Sequence, residues 1–193
     1  MINNWYDVTL KDFFAIRAIM EGKSSDTEKT IDLLKYCSDV PDFENKTLKE
    51  LQGKLPELSF LQKEMPAVNV GYEVELNGER YRIANNSTMV ALQFIDFQQA
   101  LKIEDKEGED FYCAAIASML CKEGKLYSDG GRPSKEQILQ MKAVTAFSLF
   151  AFFLPKSVRL LKGMDVCFQA QTRTRVSMPS LAVRVIFTAD LDG

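Results

Sequence analysis

The 193-residue sequence predicts a mainly α-helical protein, a multi-helix globular domain with one small antiparallel β-hairpin. Several Ser or Thr residues precede an acidic or amide residue by three places, ahead of runs with helical apolar spacing. Only residues 74–83 alternate apolar and charged side chains around an Asn-Gly turn pair. A hydrophobic fraction of 46% suffices for a core. We therefore expect one helical domain over residues 1–170 and a C-terminal arm over residues 171–193.

The first helices each begin with a capping pair, in which the two side chains bind each other's backbone N–H groups. We expect the first helix to end near Glu21, ahead of Gly22, and the second to end before Pro41. A third short helix follows, and another is predicted between Pro56 and Pro66. The three pairs are Thr9 with Asp12, Ser25 with Glu28, and Thr47 with Glu50.

The hairpin is predicted near residues 72–83, with the turn at Asn77 and Gly78. Period-two alternation places Arg80 and Arg82 on the outward face of the return strand. These two arginines are candidate partner-binding residues, and the alternative is that they only keep an exposed strand from pairing with other chains. The apolar face needs a helix to cover it, and we expect the helix that starts near Thr88. That face comprises Val74, Leu76, Tyr81 and Ile83.

Three further helices are expected after the hairpin. The helix starting near Thr88, with cap candidates at Asn86, Ser87 or Thr88, has apolar residues around much of its circumference and should be buried on more than one side. Residues 111–124 predict a helix of small residues that stops at Gly124. A Ser-Gln capping pair then opens a helix containing the apolar run 143–154. That run holds about twelve apolar or small residues, fewer than the ~20 that cross a bilayer, and predicts a core helix.

Composition excludes several function classes. The chain has no histidine, which removes Ser-His-Asp and Cys-His catalysis and zinc sites that use imidazole. A net charge of −3 argues against broad binding to nucleic acid or to anionic membranes. We expect no cofactor and no metal. The cysteines show no Cys-x-x-Cys spacing, which indicates reduced thiols in a cytosolic protein. They are Cys37, Cys113, Cys121 and Cys167.

The C-terminal part is more basic than the rest of the chain. From Thr172 onward the helical periodicity is lost and β-branched residues increase, which is typical of an extended arm. Arg173 and Arg175 are therefore further candidate partner-binding residues. Their partner would be an acidic protein surface or, as an alternative, nucleic acid.

Three segments carry a resemblance to known proteins. They are "NWYDVTLKDFFAIRAIMEG", "YEVELNGERYRI" followed by "TMVALQFIDFQ", and "KLYSDGG" followed by "SKEQILQMKAVTAFSLFAFF". Together they resemble a group of tailed-bacteriophage morphogenesis proteins, over roughly residues 3–154. The shared motifs are packing motifs without catalytic residues. The resemblance implies a tail assembly chaperone or another small protein of the tail and connector gene block.

Two functions follow as hypotheses. The first is a non-enzymatic tail assembly chaperone, which acts in the host cytoplasm and shields apolar helices of a tail protein until the tube grows around them. The second is a structural virion protein of the head-tail connector, whose C-terminal arm reaches a neighbouring subunit. The partners would be other phage morphogenesis or virion proteins, with a homo-oligomer as an open alternative. An enzyme that uses carboxylates or an oxygen-bound metal is a third hypothesis, for which the sequence offers no site.

Overall fold

The computed structural model describes residues 1–38, 43–85 and 88–163, with side chains up to residue 153 except at positions 44 and 48. Within these residues the protein is mainly helical, as predicted, with one small antiparallel sheet. The 3-10 helix Phe43–Asn45 lies between the second and third α-helices. A second 3-10 helix, Leu55–Gln62, follows the third α-helix. The α-helices are α1 (Leu10–Glu21), α2 (Asp26–Cys37), α3 (Leu48–Gln52), α4 (Ala91–Ala100), α5 (Glu109–Met119), α6 (Lys135–Leu139) and α7 (Ala143–Gly163). The strands are β1 (Glu73–Leu76), β2 (Glu79–Ile83) and β3 (Leu120–Lys122).

The predicted capping pairs form as expected. At the start of α1, the backbone N–H of Asp12 donates to Thr9 Oγ1 at 3.1 Å, and the Asp12 carboxylate accepts from the Thr9 backbone N–H at 2.9 Å. Tyr36 on α2 donates its hydroxyl to the same carboxylate at 2.9 Å. Asp12 therefore caps α1 and also ties it to α2. The reciprocal bonds are also present at Ser25 with Glu28, Thr47 with Glu50, and Ser134 with Gln137.

We predict that Asp12→Asn makes the protein less stable at neutral pH and less sensitive to acid. Burial of the Asp12 carboxyl raises its pKa, but the hydrogen bonds from Thr9 and Tyr36 outweigh burial and hold the pKa below its usual 3.8. A lowered pKa contributes stability above pH 3.8, which is lost as the pH falls through the folded value. The variant should lose about 1 kcal/mol at pH 7, the usual cost of a cap, and should approach the parent as the pH falls below 3.8.

Urea unfolding of both proteins across this pH range measures the effect. Asp32→Asn is the matched control, because the Asp32 side chain is exposed on α2. A constant difference between Asp12→Asn and the parent from neutral to acid pH would contradict the role of the Asp12 charge.

The predicted hairpin forms, and its side chains face inward and outward as expected. Asn77 and Gly78 adopt positive φ angles of 51° and 77°, as a type I′ turn requires. Tyr81 and Ile83 point inward and are 2% and 5% exposed. The hairpin is not the sole β-structure, however, because β3 adds a third antiparallel strand beside β2. Its inward residues join the core that also contains Phe97 of α4.

Strand β3 also corrects the predicted end of α5. We expected this helix to continue to Gly124, but it ends at Met119, and the chain turns directly into β3. The N-cap of α4 is Val90, while Asn86 and Ser87, two of the expected cap residues, lie outside the described residues. Residues Leu120–Lys122 form β3 instead of continuing α5, because pairing with β2 satisfies their backbone groups in the sheet and outweighs their helical preference.

The single helix expected after the Ser134–Gln137 capping pair is divided into α6 and α7. The chain leaves the helical path between α6 and α7 because the N-terminal segment pairs with it there. The backbone N–H of Leu10 donates to Met141 O at 2.7 Å, and that of Ala143 donates to Val8 O at 2.9 Å. Helix α7 then runs through Pro155 to Gly163, the last residue that the structure describes.

The first half of α7 is the centre of the core. Ala143, Ala146 and Leu149 are fully buried, and Phe147 and Phe150 contact rings of α1 and α5. The prediction of a core helix here is confirmed. Among the residues that the structure describes, no helix is both long and apolar enough to cross a membrane.

Candidate docking surface

The predicted arginine pair lies on the outward face of the sheet, as expected. Arg80 and Arg82 are exposed on β2, and the strand register places them opposite Glu75 and Glu73 of β1. Arg82 Nη2 also lies 3.1 Å from Glu123 Oε1, beyond β3. Each arginine is therefore opposed by a carboxylate, and this face is balanced in charge instead of basic. Surface pairs of this kind contribute little to stability.

A groove with a volume of about 500 Å³ opens beside this face, between the sheet and the start of α4. One wall is the strand β3 and the turn that follows it. The other wall is the first turn of α4, and the start of β1 closes the end. We call this cavity the β3–α4 groove. Its lining includes Tyr72, Glu73, Val90, Gln93, Cys121 and Leu126.

Large apolar side chains are exposed around the groove. Tyr72 is 78% exposed and Leu126 is 72% exposed, while Val90 at the start of α4 is 49% exposed. On another side of α4, outside the groove, Leu92 and Ile95 are 41% and 49% exposed. This exposure contradicts the expectation that α4 is buried on more than one side. Adjacent exposed apolar side chains beside a cavity are typical of a protein-binding surface.

The buried side of α4 carries a polar residue where an apolar one is usual. Gln93 is 2% exposed, and its Oε1 accepts from the Val90 backbone N–H at 3.2 Å. Its Nε2 is buried and has no hydrogen-bond partner among the described residues. The bond from Val90 fixes which end of the amide is the acceptor. The wall of the groove thus contains an unpaired amide donor that the surrounding protein encloses.

A hydrogen-bonded cluster fixes the β3 side of the groove to α4. The Tyr127 hydroxyl donates to Asp96 Oδ2 at 2.7 Å, and Arg132 Nη1 donates to the same oxygen at 2.9 Å. Burial, followed by the hydrogen bond to Asp96, raises the pKa of Tyr127 well above its usual value. Tyr127 therefore remains a donor at physiological pH. The turn that presents Leu126 is held in place next to α4.

The described cysteines differ in their surroundings. Cys37 and Cys113 are 1% and 3% exposed, and burial raises the pKa of their thiols to about 11 and about 12. Cys121 is half-buried and lines the groove. Burial raises the pKa of its thiol as well, against a smaller lowering by Arg82. Cys121 is therefore the accessible thiol of the described part of the chain, while Cys167 lies outside it.

The other predicted partner-binding residues, Arg173 and Arg175, lie outside the described residues, as does the expected arm 171–193. No group of three Cys, Asp or Glu side chains in the described ranges is arranged to hold a metal ion. Sequence reasoning identified the arginine pair but missed the groove beside it. Tyr72 follows Gly71 and Leu126 follows Lys125 in connecting segments, where a single large apolar residue gives no periodic signal.

A comparison of the chain with protein families, with curated proteins and with solved structures finds no match.

Proposed function

We propose that this protein is a non-enzymatic assembly protein of a tailed bacteriophage, and that it acts as a tail assembly chaperone in the host cytoplasm. The observation that carries the proposal is the β3–α4 groove with its exposed Tyr72 and Leu126. A chaperone of this kind must present apolar surface to its client while remaining folded itself. The resemblance of three sequence segments to phage morphogenesis proteins supplies the biological setting.

The client would be an apolar or amphipathic helix of a tail protein. A groove beside a helix accepts such a segment when apolar anchors spaced by three or four residues enter it. Leu92 and Ile95 are themselves three residues apart on α4, so they form a second exposed apolar strip, on a side of the helix outside the groove. The charged rim at Arg82 and Glu123 would orient the client rather than supply most of the affinity.

The alternative is a structural virion protein of the head-tail connector. The basic C-terminal residues favour it, because a charged arm suits a contact with a neighbouring subunit. Particle content separates the two functions. Mass spectrometry of purified virions should detect no copies if the protein is a chaperone, although the infected-cell lysate contains it. A fixed copy number per virion would overturn the chaperone proposal and support the connector protein.

We predict that Leu126→Asp reduces binding to the client at least about tenfold, because a charge at the centre of an apolar interface costs more than about 1.4 kcal/mol. Folding should be unaffected, since Leu126 is 72% exposed. Affinity is measured by calorimetry with the tail protein that co-purifies with the tagged chain during infection.

Leu55→Asp is the matched control for this experiment. Leu55 is an exposed leucine at 42%, and it does not line the groove. Equal affinity of Leu126→Asp and Leu55→Asp for the client would place the docking surface elsewhere.

A further inference from the structure

The strand β1 has an open edge. The strand order is β1-β2-β3, so β1 pairs with a neighbour on one side only. The backbone N–H of Ile83 donates to Tyr72 O at 2.8 Å, and hydrogen-bonded pairs alternate along an antiparallel ladder. Glu73 and Glu75 therefore direct their backbone N–H and C=O groups away from β2. Among the described residues, no other backbone group bonds to these two N–H groups.

Charges of opposite sign alternate across the outward face of the sheet. The backbone N–H of Glu123, after β3, donates to Arg80 O at 2.9 Å, and Arg80 in turn lies opposite Glu75. Arg82 lies opposite Glu73, but the ion pair of Arg82 is with Glu123. The column of side chains at the open edge is thus acidic. A strand added beside β1 would continue the alternation if its outward side chains were basic.

A cavity of about 320 Å³ lies next to β1, between the segment that leads into this strand and the start of α7. Its lining includes four valines, Val68, Val70, Val74 and Val144. Val74 is the inward residue between the two glutamates of β1, so an added strand would bring its own inward residue to this cavity. Lys142 also lines the cavity, and its Nζ donates to Asp7 O at 3.1 Å. An apolar side chain suits this position better than a basic one.

A second copy of the chain does not suit the edge. Antiparallel pairing of β1 with β1 of another molecule would join the outward-directed backbone groups of Glu73 and Glu75 on both strands. Every such register places a glutamate of one strand directly opposite a glutamate of the other. Like charges in that position are destabilising. The charges of the edge therefore favour a different segment, one that is basic.

We propose that the open edge of β1 binds an extended segment of a partner protein in which lysine or arginine alternates with small apolar residues. The segment adds an antiparallel strand whose main chain pairs with the free N–H and C=O groups of Glu73 and Glu75. Its basic side chains lie beside the two glutamates, and the apolar residue between them enters the cavity at Val74. Val74 does not line the β3–α4 groove, so this second docking surface goes beyond the proposed function and does not depend on it.

A blocked heptapeptide of alternating lysine and valine is the probe for this edge. Amide hydrogen exchange of the full-length protein is measured by NMR with and without the peptide. Exchange of the Glu73 and Glu75 amides should slow about tenfold when about 90% of the protein is bound. The amides of Val74 and Leu76 should change little, because the alternation of the ladder already bonds them to β2.

Methylation of the peptide backbone separates strand pairing from general charge attraction. Lysines opposite the two glutamates direct their N–H groups to β1, whereas the valines between them direct theirs away. Methylating the lysine N–H groups should weaken binding at least about tenfold, because at least two main-chain hydrogen bonds are lost. Methylating the valine N–H groups instead keeps the same charge and should leave the affinity unchanged. Equal affinity of the unmodified and the lysine-methylated peptides would overturn the proposal.

Variants of the protein test the acidic edge. Glu73→Gln combined with Glu75→Gln should weaken peptide binding about fivefold, because two pairs of opposite charge are lost. Asp32→Asn combined with Glu104→Gln is the matched control, since it removes the same charge from exposed positions that do not line the cavity. Equal affinity of these two double variants would contradict the assignment of the edge, provided circular dichroism shows both proteins folded.

The choice of a partner over a second copy has its own test. Exchange of the Glu73 and Glu75 amides should be independent of protein concentration when no peptide is present. Exchange that slows as the concentration rises would overturn the proposal, because a second copy would then cover the edge. None of these measurements uses a phage protein. Their failure is thus distinguishable from the outcome of the virion-content experiment that tests the proposed function.

Discussion

Phe150→Ala should lower the free energy of unfolding by about 3–5 kcal/mol, the usual cost of deleting a buried aromatic ring. Phe150 is 1% exposed in the first half of α7. Its ring lies 5.1 Å from that of Tyr112 and 5.7 Å from that of Phe111, measured between centroids. The variant loses the transfer free energy of the ring and leaves a cavity between α5 and α7. Because small domains are stable by only about 5–15 kcal/mol, much of the total would be lost.

Urea unfolding of the full-length chain, followed by circular dichroism, measures this loss. Tyr72→Ala is the matched aromatic control, because Tyr72 is 78% exposed, and its removal should change stability by less than about 0.5 kcal/mol. A loss below about 1 kcal/mol for Phe150→Ala would mean that α7 is not the centre of the core.

The helix starts and the hairpin could be predicted because their signals are local. Thr9 and Asp12 are three residues apart, and their reciprocal bonds form whatever surrounds them. The same holds for Asn77 and Gly78, whose positive φ angles are set by residue type. The inward and outward sides of β2 could be predicted as well, because burying the apolar side of the strand fixes its register.

The missed features depend on contacts between residues far apart in the chain. Leu120 leaves the helical path because β3 pairs with β2, some forty residues earlier, with Leu120 opposite Ile83. The break before Ala143 exists because Val8 accepts its backbone N–H. Neither partner can be identified from the local apolar pattern, which still indicates helix at both places.

The candidate site was predictable only in part, for a related reason. Apolar residues occur on most sides of α4, and the sequence does not say which side faces the core. In the structure the buried side carries Gln93 and Phe97, while Leu92 and Ile95 are left on the surface. The groove arises from this choice of side together with the position of the turn at Leu126.

The second large effect concerns Arg80 and Arg82, the arginine pair identified from the sequence. Changing both to Glu should lower stability by about 1–2 kcal/mol, since like charges then lie directly opposite Glu75 and Glu73. The loss of the contact between Arg82 and Glu123 adds to the repulsion. From the sequence alone we expect the same change to alter the melting temperature very little, because exposed charges contribute only about 0 to 1 kcal/mol each. Urea unfolding of the double variant measures the difference.

A compensated variant then separates stability from docking. Combining Arg80→Glu and Arg82→Glu with Glu73→Arg and Glu75→Arg restores opposite charges across the two strands, so stability should return to within about 0.5 kcal/mol of the parent. If a tail or connector partner contacts these arginines, the compensated protein should still fail to bind it, because each charge now lies on the wrong strand and meets a like charge. Binding at parental strength, measured by calorimetry on the folded compensated variant, would show that the two arginines serve the sheet alone. The docking surface would then be the apolar part of the groove at Tyr72 and Leu126, where Leu126→Asp acts without changing any charge on β2.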